Sequence, residues 1–403
     1  MSEITMDFPE AEDSVDQIND IADRAMAMVD RMRDRAFRPE QHKELRFRFG
    51  IQEAAKLINS STARIRAAEE DGRLPSPDVS DTNRRVGYTI EELYNMRKVL
   101  NELPWRPEGS EPIILAMQNF KGGVGKSTTS VHLSHYLAIR GYRVLVIDVD
   151  SQATTTTMFG LDPHLVVDRE ETLYPFLSID QTQKNLNYAV QPTAWPNIDL
   201  IPSAQSLYEV EYELSSADEQ GNSFLSTRLR QLSDGVREIA QNYDVVIMDP
   251  PPALGTISIA VMQAANAILV PLAATVPDYC STAQFSSMLG EVAEDLKNAG
   301  IRPKYKFIRF LISKFSARDT SQMLLRDNAL SKGFGENLLP VPILESAEIS
   351  HAFVRWSSVY ELERAVGASK THKRCRENLD EVFEHVEKLF IEQWQRDQAR
   401  GSK

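Results

Sequence analysis

A short apolar segment followed by a glycine-rich loop and a helical pattern constrains this chain more than any other feature. The segment Ile113–Met117 is uniformly apolar, and positions 121–128 then read KGGVGKST. An amphipathic pattern continues to Arg140 and ends at Gly141. A strand, a glycine loop and a helix in this order are typical of a P-loop, whose backbone N–H groups bind phosphate oxygens at the positive end of the helix dipole.

The loop residues predict how a nucleotide and its metal are held. We expect Lys126 to reach the β- and γ-phosphates, the Ser127 hydroxyl to ligate Mg²⁺ and Thr128 to bind the α-phosphate. Phe120 replaces the first glycine of the usual GxxxxGK[ST] pattern, and a longer form with an added lysine, Lys121, is met instead. The predicted cofactors are ATP, ADP and Mg²⁺, and the nucleotide-binding residues are Lys121, Gly122, Gly123, Val124, Gly125, Lys126, Ser127 and Thr128.

Two more apolar segments end in carboxylates. Arg143–Asp148 is followed by Val149 and Asp150, and Val245–Asp249 is followed by three prolines. Because parallel strands share one carboxyl edge, both carboxylates are expected beside the P-loop. Asp249 is typical of a Walker B acid, which holds Mg²⁺ directly or through water, and Asp150 is a further candidate ligand.

After residue 112, apolar strands alternate with amphipathic helices, which predicts an α/β fold with a doubly wound, mostly parallel sheet. A P-loop ATPase domain is therefore predicted over residues 113–403. It ends in a long helix, Thr371–Gln398, whose apolar stripe from Leu379 to Phe390 is expected to pack on that domain. The predicted strands are Ile113–Met117, Arg143–Asp148, Ile198–Ile201, Val245–Asp249, Ala267–Pro271, Phe307–Ile312 and Asn337–Val341.

Residues 1–46 are predicted to form an acidic tail and one helix. From Val15, apolar or small residues recur at alternating spacings of three and four, which is a heptad seam. The seam consists of Val15, Ile18, Ala22, Ala25, Val29, Met32 and Ala36. It predicts either a helix that dimerises the protein or a helix packed on its own domain.

Residues 47–100 are predicted to form a winged helix-turn-helix domain, joined to the ATPase domain by a proline-rich linker at 101–112. Helices are expected over Phe49–Ile58 and Thr62–Glu70, a wing over 83–88, and a capping box opens a third helix at Thr89. The basic residues fall on the second helix and the basic loop, which would face DNA; an ordinary helical domain with surface arginines is the alternative. The candidates are Arg64, Arg66, Arg73, Arg84 and Arg85.

Composition excludes several classes of protein. The formal net charge of the 403 residues is −13, which excludes a generally basic DNA-coating protein but not a local basic patch. Cys280 and Cys375 lie far apart with no CxxC pattern, so neither a disulfide framework nor a zinc ribbon is expected. The sequence contains no run of 18 apolar residues, so no membrane span is predicted. The acidic N-terminus is unlike a signal peptide, and a cytoplasmic protein is therefore expected.

These motifs together resemble a known group of ATPases. KGGVGKST at 121–128, DVDSQ at 148–152 and DPPP at 249–252 resemble the deviant Walker ATPases, which include ParA-type partition ATPases, MinD and nitrogenase iron protein. The segments FGIQEAAKLINSSTARIRAAEEDGRLP and NRRVGYTIEELYNMR resemble the DNA-binding domain of the large, type Ia ParA proteins of plasmids, most of all the RepA partition ATPases of RepABC replicons. The resemblance covers about residues 47–365.

The resemblance implies roles for single residues. Lys121 matches the signature lysine that crosses a dimer to the partner's nucleotide, Asp150 the switch carboxylate that orients the attacking water, and Asp249 the Walker B acid. Ser151 stands where the family has proline, which alters the rigidity of that loop.

The family also implies a cellular cycle. ATP makes a sandwich homodimer that binds DNA nonspecifically at the nucleoid, a ParB-type centromere-binding protein stimulates hydrolysis, and the N-terminal domain represses the protein's own operon at its operator. Candidate nonspecific DNA contacts, each equally consistent with a solvated face, are Lys314, Arg318, Arg326, Lys332 and Arg355.

Two other functions compete with partition. A MinD-like membrane cycle would need a basic face on the C-terminal helix, and the face there carries Asp380, Glu381, Glu384, Glu387 and Glu392, which anionic lipid would repel. A DNA-binding repressor that uses ATP only as a ligand is the stronger alternative.

Overall fold

A computed structural model describes residues 11–36, 43–218, 223–298, 304–362 and 365–401. Contacts divide the chain into two compact units, Met1–Glu44 and Leu45–Lys403. Most of the predicted acidic tail, residues 1–10, lies outside the described residues. No helix among the described residues is both long enough and apolar enough to cross a membrane.

The described residues of the first unit form one helix, α1, over Ala11–Ala36. It begins four residues before the predicted start at Val15. The apolar seam is exposed, with Val15 at 58% and Ile18 at 65% of full exposure. The side chains of Met32 and Ala36, which complete the predicted seam, are outside the described part of the chain.

The second unit opens with three short helices, α2 (Ile51–Leu57), α3 (Thr62–Glu70) and α4 (Ile90–Leu100). Ser61 caps α3 by accepting the N–H of Arg64, and Thr89 and Glu92 form the predicted capping box of α4. The segment predicted as a wing forms no strand; two isolated bridges, Val79 with Arg85 and Phe49 with Tyr88, are found there. The two predicted helices α2 and α3 are thus present, and no regular hairpin follows them within the described residues.

The described part of the chain forms a sheet of seven strands in the order β3-β4-β2-β5-β1-β6-β7, and all neighbours are parallel except β3 with β4. The predicted strand over 337–341 is wrong, because Leu338 makes only an isolated bridge to Phe310 and the nearby Pro340 and Pro342 have no N–H to donate. The strands are β1 Ile113–Met117, β2 Val144–Asp148, β3 Gln191–Pro192, β4 Ile198–Ile201, β5 Val245–Asp249, β6 Ala267–Ala273 and β7 Phe307–Ser313.

Helices cover the sheet, as the uniformly buried strands require. They are α5 Lys126–Arg140, α6 Thr154–Met158, α7 Tyr174–Leu177, α8 Leu207–Asp218, α9 Ser223–Ala240, α10 Thr256–Ala264, α11 Val276–Asn298, α12 Thr320–Leu325, α13 Ser331–Phe334, α14 Ala347–Val354 and α15 Ser369–Gly401. Short 3-10 turns occur at Arg169–Glu171, Asn187–Ala189, Gly335–Asn337 and Val359–Glu361, and a π turn at Arg326–Leu330.

The long C-terminal helix packs on the α/β fold as predicted. Val382, Phe383, Val386 and Phe390 are fully buried in the same core cluster as β1 and α5. Two tyrosine hydroxyls, of Tyr136 and Tyr142, donate to the buried Glu387 carboxylate at 2.8 and 2.9 Å. The apolar stripe is therefore occupied by the core and is not a free membrane-facing surface.

The same core includes residues of α2, α3 and α4. Arg97 of α4 is buried and donates to the carbonyl oxygens of Leu57 at 2.5 Å and Ile139 at 2.9 Å, near the ends of α2 and α5. Burial lowers the pKa of Arg97 to about 10. In the proline-rich segment 101–112, Arg106 donates to the carbonyl oxygens of Gln241 at 2.8 Å and Tyr243 at 3.1 Å. That segment therefore lies against the loop before β5.

Candidate nucleotide-binding site

The P-loop joins the carboxyl end of β1 to α5, which begins at Lys126. Gly123 and Gly125 have φ angles of +74° and +88°, a left-handed conformation that glycine adopts without strain. The Lys126 side chain is buried, and its ammonium group donates to the carbonyl oxygen of Lys121 at 3.4 Å. A glycine-shaped loop that holds a buried ammonium at a helix N-terminus is suited to bind phosphate.

Asp249 ends β5, and hydroxyl groups from two helices surround its buried carboxylate. Ser130 of α5 donates to Oδ1 at 3.2 Å, and Thr155 of α6 donates to Oδ2 at 2.7 Å. Burial raises the pKa of Asp249, while the hydroxyl groups of Ser127 and Thr155 and the charge of Lys126 lower it. A hydroxyl and a carboxylate side by side are hard oxygen donors, so Ser127 and Asp249 fit a site for Mg²⁺.

Two more carboxylates lie at the same edge of the sheet. The register of β2 with β5 pairs Asp148 with Asp249. Burial and the nearby Asp249 raise the pKa of Asp148 well above its ordinary value. Burial lowers the pKa of Lys126, whereas the charges of Asp249 and Asp150 raise it, so both carboxylates act on this lysine. The structure thus brings Lys126, Ser127, Asp150 and Asp249 together at one edge of the sheet.

Lys121 makes an ion pair within its own chain. Its ammonium nitrogen lies 2.7 Å from Oδ1 of Asp278, in the first turn of α11. The Asp278 carboxylate is largely buried and also accepts the Thr275 hydroxyl. Sequence reasoning missed Asp278, because nothing in its local pattern distinguishes it from an ordinary residue of a helix N-terminus.

A cavity of about 210 Å³ adjoins the P-loop. Gly125, Thr128 and Thr129 line one side of it, and Lys314 and Leu344 line another. Lys314 also donates to the carbonyl oxygen of Gly123 at 2.6 Å. This contact places Lys314 at the P-loop, a position that the sequence analysis did not assign to this residue.

The predicted operator-contacting arginines lie in different settings. Arg66 and Arg84 are exposed. Arg64 donates to the carbonyl oxygen of Leu100 at 2.7 Å and pairs with Glu102. Arg85 pairs with the buried Glu69 at 2.8 Å and Arg73 pairs with Asp71 at 2.8 Å, so both have partners within the molecule.

The remaining basic candidates are also divided. Arg326 donates to the carbonyl oxygen of Pro340 at 3.4 Å, whereas Arg318, Lys332 and Arg355 are exposed. The first turns of α15 add further exposed basic residues that sequence reasoning did not select: Lys370, Lys373 and Arg374.

Comparison with known proteins agrees with this geometry. A family model described as an AAA domain matches residues 113–300. A relative in Rhizobium rhizogenes named for replication protein A is 33% identical over 373 residues, covering 90% of this chain and 91% of that protein. Protein SopA of Escherichia coli strain K12 is 35% identical over 327 residues, covering 80% of this chain and 82% of SopA.

A solved structure described as a partition protein shares the fold, with a TM-score of 0.58 and 19% identity. The alignment covers 93% of this chain and 98% of that one. The fold described above therefore has a counterpart of nearly the same extent.

Proposed function

Because this chain belongs to the ParA-type partition ATPases, we propose that it is a Mg²⁺-dependent ATPase that dimerises on ATP and segregates DNA. The observation that carries the proposal is the pair of lysines in one loop. Lys126 is buried among the carboxylates of the site, whereas Lys121 is 36% exposed and held to one side by Asp278. In this proposal Lys126 binds the nucleotide of its own subunit, and the partly exposed Lys121 reaches the nucleotide of a partner subunit.

Each residue of the site then has a chemical task. The P-loop N–H groups and Lys126 bind and orient the phosphates, and Asp150 orients the attacking water. Ser127 and Asp249 hold Mg²⁺, with Asp150 as a further ligand. When bound, the metal offsets the negative charge that develops on the phosphate oxygens. The cavity beside Gly125 and Lys314 takes the ribose and base.

Dimerisation completes the site in this proposal. Lys121 releases Asp278 and supplies its charge to the partner's phosphates, as an arginine finger does. The exposed seam of α1 supports a second dimer contact through the N-terminal helices. ATP hydrolysis then determines when the dimer dissociates into two subunits.

Two kinds of DNA contact follow. Helix α3, with Arg66 exposed and Arg84 on the loop beyond it, reads the protein's own operator and represses its operon. The protein is cytoplasmic and binds the DNA of the nucleoid nonspecifically. Arg318, Arg355 and the basic residues at the start of α15 contact the DNA phosphates. A ParB-type centromere-binding protein is the partner that stimulates hydrolysis.

ATP turnover measured with and without nonspecific DNA and the partner, across salt concentrations, tests this function. We expect stimulation that falls steeply as salt rises, because phosphate contacts release counterions. Turnover that stays negligible with both DNA and partner present would instead show a repressor that uses ATP only as a ligand.

A further inference from the structure

A closed ring of side-chain hydrogen bonds surrounds the backbone of Asp150. The Asp150 N–H donates to Oδ1 of Asp148 at 3.2 Å, and its carbonyl oxygen accepts the Ser203 hydroxyl at 2.6 Å. The Thr156 hydroxyl closes the ring, because it donates to Oδ2 of Asp148 at 2.7 Å and accepts the Ser203 N–H at 2.9 Å. We refer to Asp148, Asp150, Thr156 and Ser203 as the Asp150 ring.

The Asp150 ring is shielded from water. Asp148, Thr156 and Ser203 are fully buried, and Asp150 is 8% exposed. The members come from three segments: the end of β2, helix α6 and the loop after β4. Removing the hydrogen-bond partner of a buried polar group costs free energy, because water cannot replace that partner. Each member of the Asp150 ring therefore holds the others in place.

Fixing both peptide groups of Asp150 fixes the direction of its Cα–Cβ bond, and a further hydrogen bond holds the carboxylate. The Asp150 carbonyl oxygen also accepts the Ala153 N–H at 2.8 Å, and its Oδ1 accepts the Gln152 N–H at 2.9 Å. The next residue, Ser151, does not restrict φ as a proline would. The constraint on this loop therefore comes from hydrogen bonds, and the Ser203 hydroxyl supplies one that reaches Asp150 from the loop after β4.

We propose that Ser203 is a positioning residue for hydrolysis, which holds the Asp150 backbone so that its carboxylate points at the attacking water. This rests on the proposed role of Asp150. Ser203 itself contacts neither the P-loop residues nor the Asp150 carboxylate in the hydrogen bonds described, so its effect passes through the backbone of Asp150.

The test is Ser203→Ala in the full-length protein, which removes the hydroxyl and keeps the N–H that bonds Thr156. We expect kcat to fall about 10- to 100-fold, while KM and the affinity for ATP stay within about twofold, because a misplaced catalytic group slows the chemical step without weakening binding. In an Asp150→Ala background, Ser203→Ala should have no further effect, since the group that it positions is already gone. Ser134→Ala is the matched control, because Ser134 is equally buried and its hydroxyl bonds only Val131 O within α5.

Wild-type kcat in Ser203→Ala, a parallel loss of ATP affinity, or further slowing of Asp150→Ala would each overturn the proposal. If Ser203→Ala does not fold, Thr156→Val opens the ring at its other side and must give the same split between kcat and KM. A wild-type rate in Asp150→Ala alone would instead refute the role of Asp150, which separates failure of the proposed function from failure of the ring.

Discussion

Acidification is expected to destabilise this protein through His132, a buried imidazole on α5. Nδ1 lies 2.7 Å from the carbonyl oxygen of Thr128, which can only accept, so Nδ1 carries the proton. Nε2 accepts the N–H of Val359 at 3.2 Å and is therefore unprotonated. A second proton would have to displace the Val359 N–H and charge a fully buried ring.

Burial accordingly lowers the pKa of His132 from 6.5 to about 4, although its bond to Thr128 and the nearby Glu361 oppose the shift. In the unfolded chain His132 takes up a proton near its ordinary pKa, and in the folded protein it does so only near the lowered one. The folded state is therefore favoured above pH 6.5, and this stability is lost as the pH falls toward 4. Between pH 7.5 and pH 5 the loss is about 2 kcal/mol, at about 1.4 kcal/mol per pH unit of the window.

The assay is denaturant unfolding at pH 7.5 and pH 5 of the wild type and of His132→Gln, in which the side chain at position 132 does not titrate. The wild type should lose about 2 kcal/mol more of its free energy of unfolding than the variant does. If the two proteins lose the same free energy to within about 0.5 kcal/mol, His132 is not held neutral in the folded state and the reasoning fails.

Three further outcomes are expected. Lys126→Ala should weaken ATP binding about 100-fold in a nucleotide titration, because a charge-assisted bond to phosphate contributes up to about 3 kcal/mol; unchanged affinity would contradict the P-loop assignment. Asp278→Asn should free Lys121 and allow dimers at about two- to fivefold lower ATP in sedimentation velocity, since an ion pair whose lysine is partly exposed is worth up to about 1 kcal/mol; an unmoved midpoint would show that the pair does not compete with dimerisation. Arg66→Ala should weaken operator binding by about 1–3 kcal/mol more than binding to random DNA, and equal losses would mean that Arg66 contacts only phosphate.

Features with a local pattern were predictable from the sequence. Helix α3 occupies the predicted residues Thr62–Glu70, and the Thr89–Glu92 capping box is formed. The P-loop follows the apolar strand β1, as its glycines indicate. Strand β5 ends at Asp249, as its apolar pattern indicates. The strand predicted over 337–341 does not form, because Pro340 and the following Pro342 have no N–H to donate to a neighbouring strand. The prediction gave more weight to the apolar side chains of this segment.

Features that depend on contacts between distant segments could not be predicted. Lys121 pairs with Asp278, and Asp150 is held by Ser203, across two intervening elements or more. The sequence pattern around Arg97 predicts an exposed residue near a helix end, yet Arg97 is buried and bonds the ends of α2 and α5. These residues carry no periodicity or motif, because their partners are chosen by the tertiary fold.

The central claim is that Lys121 acts on the partner's nucleotide, and mixing two inactive variants tests it most directly. Lys121→Ala and Asp150→Ala subunits are combined with ATP, and hydrolysis is measured alongside heterodimer formation. One site of the heterodimer then has an intact Asp150 and a lysine from its partner, while the other site lacks both. We predict partial recovery of hydrolysis. No recovery, despite demonstrated heterodimers, would show that the lysine serves its own subunit and would contradict the ATP-gated dimer.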